Sequence, residues 1–168
     1  MNIGRNDIDW RNLSHDEIDR IIAERIEADD RRIEASGGKK PKRVGYILER
    51  IAEINNLREA DREAQDGKVK KNRFIRRHNL HPEEDLRALQ LMILTLDFPA
   101  PDYSVMKVRS DAGKVRDIVK QKYFPWRILH HAIMRVIGED IYKSLIYDTS
   151  ACIKGCLLYT SPSPRDCS

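Results

Sequence analysis

Tyr103-Ser-Val-Met-Lys-Val-Arg109, Ser110-Asp-Ala-Gly113, Lys114-Val-Arg-Asp-Ile-Val-Lys-Gln121 is the stretch that decides the fold class. Branched and aromatic side chains such as Val, Ile and Tyr fit a pleated strand, and the Ser-Asp-Ala-Gly connection supplies turn chemistry between the two runs. Strands over 103–109 and 114–121, paired as a hairpin, are expected. The other periodic segments read as helix. The fold class is therefore α+β, mostly helical with one antiparallel β-hairpin.

Upstream of the hairpin, Pro82 suits a first helical position, and Glu83, Glu84 and Asp85 suit the positive end of a helix dipole. With Leu86, Leu89, Ile93 and Leu96 as the apolar face, a helix from 82 to 96 is expected, stopped by Phe98-Pro99-Ala100-Pro101. Ile47, Leu48, Ile51, Ile54 and Leu57 mark another amphipathic stretch, with Asn55-Asn56 as its break. Two short helices or one kinked helix fit it. Nearest the N-terminus, Ser14 and Glu17 form a capping-box pattern before Ile18, Ile21, Ile22, Ile26 and Ile33, predicting a helix over 15–35. Ser36-Gly37-Gly38 ends that helix, and the basic linker 39–43 is the clearest domain boundary. It separates an N-terminal extension, 1–43, from a domain over 44–155. Downstream of the hairpin, the run 127–137 is too apolar for a surface helix and belongs in a core.

The chain has 168 residues, a length suited to one domain with an appendage. Its apolar runs, such as Leu91-Met-Ile-Leu94, are far too short for a transmembrane helix. The N-terminus lacks the apolar segment of a secretory signal, so a reducing, cytoplasmic setting without membrane contact is expected. Cys152, Cys156 and Cys167 all lie in the tail and build neither a disulfide framework nor a zinc site. Cys152 reads as a small packed residue.

The tail itself reads differently from the rest. Cys156-Leu-Leu-Tyr-Thr-Ser-Pro-Ser-Pro-Arg-Asp166 matches the translation of a common transposase-based sequencing adapter. Residues 156–168 are accordingly expected to be a disordered library artefact, with the natural frame continuing past Gly155.

Charge is uneven along the chain. Residues 1–66 carry 13 Lys+Arg against 16 Asp+Glu, whereas residues 67–155 carry 17 against 10. That positive second half is the asymmetry of a surface facing a polyanion. Its densest part is Lys68, Lys70, Lys71, Arg73, Arg76 and Arg77, with no acid between them. On a helix these cations make either a phosphate-contacting face or a solvated face with Phe74 and Ile75 packed inward. In the hairpin, Lys107, Arg109, Lys114 and Arg116 can hold a triphosphate, or simply protect an exposed edge from aggregation. The adjacent His130 and His131 point about 100° apart on a helix and cannot share a metal. One packed imidazole and one bonded to a neighbouring element is the simpler reading. His15, His78 and His81 are scattered and suggest no metal spacing.

The order of the segments adds a resemblance. Gly113-Lys-Val-Arg-Asp-Ile118, Phe124-Pro-Trp-Arg-Ile-Leu-His-His-Ala-Ile-Met134 and Ile146-Tyr-Asp-Thr-Ser-Ala-Cys-Ile-Lys-Gly155 resemble the opening motifs of bacterial reverse transcriptases. Asn56-Leu-Arg58, Gly67-Lys68, Arg76-Arg77 and Leu94–Pro101 extend the resemblance to the fingers of phage-associated, retron-like and diversity-generating types. It spans about 45–155.

The resemblance implies a right-hand polymerase copying an RNA template onto a DNA primer from dNTPs, with two Mg2+ held by palm aspartates. Those aspartates lie downstream of the Ser-Ala-x-x-Lys-Gly segment, so no catalytic residue and no metal ligand is assigned in this chain. Arg116 and Lys114 match positions on the incoming triphosphate. Arg127, His130 and Lys154 match segments near the template, and Lys68, Lys70, Lys71, Arg73, Arg76 and Arg77 are assigned to the template–primer backbone. The family turn continues with a basic residue and a second glycine, where this chain has Cys156. Two rival readings stand beside it: a non-enzymatic basic nucleic-acid-binding protein, and a protein-docking role for the 15–35 helix. Protein partners are left open.

Overall fold

The first helix, α1 (His15–Ala35), is fixed at its start by its own sequence. Ser14 Oγ accepts from the Glu17 N–H at 3.4 Å, and Glu17 Oε2 accepts from the Ser14 N–H at 2.9 Å, the reciprocal cap expected there. The computed structural model describes residues 8–36, 45–67, 72–101, 103–109 and 115–144. Two compact units divide the chain, residues 1–136 and 137–168. Of the second, only the last turns of a helix, 137–144, are described.

After α1 come α2 (Ile47–Ala52), α3 (Ile54–Gln65), α4 (Arg73–His78) and α5 (Pro82–Thr95). The hairpin follows, β1 (Tyr103–Arg109) and β2 (Val115–Gln121), then an irregular turn over Tyr123–Arg127 and the helix α6 (Ile128–Ser144). Among the described residues the structure is mostly helical with one antiparallel hairpin, as the residue patterns predict. No helix of the described residues is long and apolar enough to cross a membrane.

The α2–α3 break falls at Glu53, not at Asn55-Asn56. Glu53 is extended (φ −57°, ψ 129°), and Asn56 instead lies within α3, where its side-chain amide donates to Ile51 O at 3.1 Å. Asn56 thus satisfies a carbonyl that the end of α2 leaves without an intrahelical partner. Buried Gln90 does the same for Ala52 O at 3.0 Å, so one nearby and one long-range amide hold a break that no local glycine or proline announces.

The linker after α1 joins parts of one core and not two separate ones. Trp10, Ile18 and Ile22 pack in the same cluster as Leu57, Leu89 and Ile128. Arg25 of α1 donates to the buried Glu49 of α2 at 2.6 Å and lies 5.6 Å from the ring centroids of both Trp10 and Tyr46. Asp29, also buried, accepts from Arg32 at 2.6 Å, from Arg50 at 3.2 Å and from the Gly45 N–H at 3.1 Å. A Cβ on residue 45 would stand 2.7 Å from Asp29 Oδ1, so glycine is needed for that approach.

In the hairpin, Ser104 pairs with Lys120, Met106 with Ile118 and Val108 with Arg116. Tyr103, Val105, Lys107 and Arg109 pair with Gln121, Val119, Asp117 and Val115. Because side chains alternate across a strand, Lys107 and Arg109 lie on one face and Arg116 on the other. These cations therefore do not converge on a single triphosphate, and Lys107 faces Asp117 directly. Lys114 lies outside the described residues.

The helix read as a core element is covered on one side only. Ile128, Leu129 and Ala132 are buried, while His130, Met134 and Arg135 are exposed. Arg135 ties this side of α6 to α3 through Asn56 Oδ1 at 3.1 Å and through Glu63.

Candidate functional site

The base of the hairpin, the start of α4 and the entry to α6 enclose a cleft of about 1030 Å3. Arg73 and Phe74 come from α4, Ser104 and Lys120 from the hairpin, and Arg127 and His130 from the turn and α6. Lys122 also lines it, so among the described residues four cations and no carboxylate face this space.

Each element reaches the cleft for a local reason. Asn72 caps α4, its Oδ1 accepting from the Phe74 N–H at 2.9 Å, which sets the first turn carrying Arg73. Ile75 is fully buried, as expected for an inward residue, but Phe74 is 40% exposed, contrary to the inward-packed reading. Its ring lies 5.0 Å beneath the Arg73 guanidinium, which holds that charge over an aromatic face. Arg76 and Arg77 are exposed on the same helix but do not line the cleft.

The basic helix expected over 68–77 is described only as α4; Lys68, Lys70 and Lys71 lie outside the described residues, as do Lys154 and the tail 156–168. Arg116 is exposed on β2, four residues from Lys120, roughly 13 Å along the strand at about 3.3 Å per residue. It does not line the cleft.

Beneath the wall formed by α4 lies a buried polar cluster. His78, with its side chain only 1% exposed, places Nδ1 2.7 Å from Asp85 Oδ2 of α5 and Nε2 3.2 Å from Asp61 Oδ1 of α3. The Nε2 contact is an ion pair in which no hydrogen bond forms. The Tyr123 hydroxyl donates to the same Asp61 oxygen, and Gln65 donates to Oδ2 at 2.8 Å. Tyr123 also lines the cleft, so this cluster and the cationic surface share a residue.

The charges follow from these contacts. Burial alone would pull His78 down, but the close carboxylates of Asp61 and Asp85 outweigh it and raise its pKa above the ordinary 6.5. Burial would push Asp61 up, yet the adjoining His78 imidazole and the hydrogen bond from Tyr123 hold its carboxyl below the ordinary 3.8. Burial and the Asp61 carboxylate together push the Tyr123 hydroxyl well up, so it stays a donor. An imidazole held between two carboxylates donates to both only when protonated.

Lys120, Lys122, Phe74 and the His78 cluster are not singled out by the sequence. Lys120 had a faint signal, since it alternates with Arg116 on one strand face. His78 had none, because its partners stand 17 and 7 residues away on other helices. His131 Nδ1 lies 3.6 Å from Glu63 Oε2, beyond hydrogen-bond reach, and His130 is exposed rather than packed. Among the described residues, no cluster of His, Cys, Asp or Glu is arranged to hold a metal ion.

Chemically, the described lining is a set of cations with the exposed Phe74 ring, able to hold phosphates and stack a flat ring. Among the described residues it offers no nucleophile paired with a base. No family model, curated protein or solved structure matches the chain.

Proposed function

We propose that residues 44–155 are the fingers and the start of the palm of an RNA-directed DNA polymerase, and that the cationic cleft holds its template–primer backbone. One observation carries this reading. Arg73, nominated by charge alone, and Arg127 and His130, nominated by the motif resemblance, line the same cleft. Two independent arguments from distant parts of the sequence thus meet in one place.

The polymerase activity is assigned to the longer protein. The sequence contains no Tyr-x-Asp-Asp pair. The two Mg2+ implied by the resemblance belong on palm aspartates that these residues do not include, and nothing described here is assigned to them. Arg116, which does not line the cleft, and Lys114, which lies outside the described residues, are assigned to the incoming triphosphate. In the complete enzyme, Arg116→Ala should raise the nucleotide KM or lower kcat; unchanged nucleotide kinetics removes that assignment.

The cleft is tested with the present chain by salt-titrated binding to a labelled single-stranded RNA. Replacing Arg73, Lys120 and Arg127 by Ala should flatten the log–log salt slope by about 2, at roughly 0.7 per lost single-strand phosphate contact. A slope that does not change overturns the assignment.

A non-enzymatic nucleic-acid-binding protein is the second reading, favoured by a cleft whose described lining carries cations and no carboxylate. Long-read sequencing of the source DNA through the Gly155 codon separates the two. A frame running into Tyr-x-Asp-Asp supports the polymerase, and a native stop supports the binding protein.

A further inference from the structure

We propose that His78 is a protonation switch that sets whether α4 stays docked, and with it whether Arg73 and Phe74 stand in the cleft wall. Only the RNA readout below rests on the function proposed above. The argument starts from the size of α4, which has six residues and two buried side chains, Ile75 and His78. A helix that short has no stability of its own and depends on its tertiary anchors.

The groups facing His78 from each packed element are few. Asp61 approaches from α3, with Gln65 on its other oxygen, and Asp85 from α5. From the turn after β2 come the Tyr123 hydroxyl, bonded to Asp61, and the Phe124 ring, stacked 6.1 Å from the imidazole. Arg127 acts on Tyr123 from the same turn. On α4 itself, Arg76 and Arg77 are exposed.

Protonated, His78 bonds Asp85 through Nδ1 and holds Asp61 as an ion pair across Nε2, and so joins α3, α4 and α5. Neutral, it has one donor for two acceptors, and a buried carboxylate loses its counter-charge. The raised pKa sets the direction of the switch: the bridge is complete below the ordinary imidazole value and is lost as pH rises through the folded one. What changes at the cleft is therefore the position of α4. His130 also lines the cleft, so its effect must be separated from that of His78.

The experiment follows fluorescence anisotropy of a labelled single-stranded RNA with the full chain, at constant ionic strength, from about pH 6 to about pH 9. Wild type and His130→Gln should both weaken by about fivefold or more, the lower end of ordinary coupling between sites. His78→Gln should bind weakly and without that pH dependence. Dependence that disappears in His130→Gln and persists in His78→Gln overturns the proposal.

Asp85→Asn, which keeps the shape of the cluster, should move the transition to lower pH; an unmoved midpoint also overturns it. A readout without RNA is the hydrogen-exchange protection of the α4 amides relative to α5, corrected for intrinsic rates. It should fall across the same range. Constant protection sinks the switch. Falling protection with no RNA binding at any pH leaves the switch standing and sinks the nucleic-acid reading.

Discussion

The helical body and the hairpin of residues 1–136 stand in contrast. In the body, Leu57, Leu89 and Ile75 are fully buried, and even polar groups such as Gln90 and His78 lie in the interior with partners. In the hairpin, Val105 is 63% exposed and Val119 60%, and only Val108 and Gln121 are even partly covered. Yet both regions have apolar residues in regular patterns. The difference is that the helices segregate theirs to one face, whereas the hairpin carries Val105 and Val119 on one face and Met106 and Ile118 on the other. Patterning makes a core only where a second element is there to receive it.

The contrast yields an ordered set of expectations, measured by urea denaturation of the full chain. Asp61→Ala should cost most, about 3–5 kcal/mol, because it leaves His78 buried beside a single carboxylate and removes the acceptor for Tyr123. Leu89→Ala, at a fully buried site in the same body, should cost about 2–5 kcal/mol through lost transfer energy and a cavity. Ser14→Ala, which removes the α1 cap, should cost about 1 kcal/mol. Val105→Ala in the hairpin should fall within about 0.5 kcal/mol of wild type. If Val105→Ala costs as much as Leu89→Ala, the hairpin is not bare in solution and the contrast fails.

Proton linkage sharpens it further. The lowered Asp61 carboxyl contributes stability above its ordinary value near 3.8, and loses it as pH falls through the folded value. The raised His78 contributes stability below 6.5 and loses it as pH rises through its folded value. Thermal midpoints should therefore decline on both sides of a mildly acidic to neutral plateau. His78→Gln should abolish the decline on the alkaline side, and a decline that persists in that variant assigns it to another group.

Part of this structure was legible before folding. Ser14 with Glu17, and Pro82 with its three following acids, announced two helix starts because the capping groups sit within one turn of what they cap. The strands were legible from branched residues bracketing Ser110–Gly113. The break at Glu53 was not, since the Gln90 amide that helps hold it reaches Ala52 from another helix. The end of α5, expected at Leu96, falls at Thr95, though the left-handed conformation of Leu96 (φ 56°), which glycine ordinarily occupies, was not announced. Of the candidate site, the cations Arg73 and Arg127 were legible by type, but their meeting with Lys120 and Lys122 was not.

By itself the sequence determined what short-range physics can: helix caps, strand propensity, turn chemistry and the excess of cations in the second half. Only the tertiary structure decided which of those cations share a cleft, which strand face Arg116 occupies relative to Lys107, and that His78 is clamped between Asp61 and Asp85. The reason is range. Caps and propensities act over a few residues of chain, while charge convergence and burial depend on which distant segments pack together, and that is settled only when the core forms.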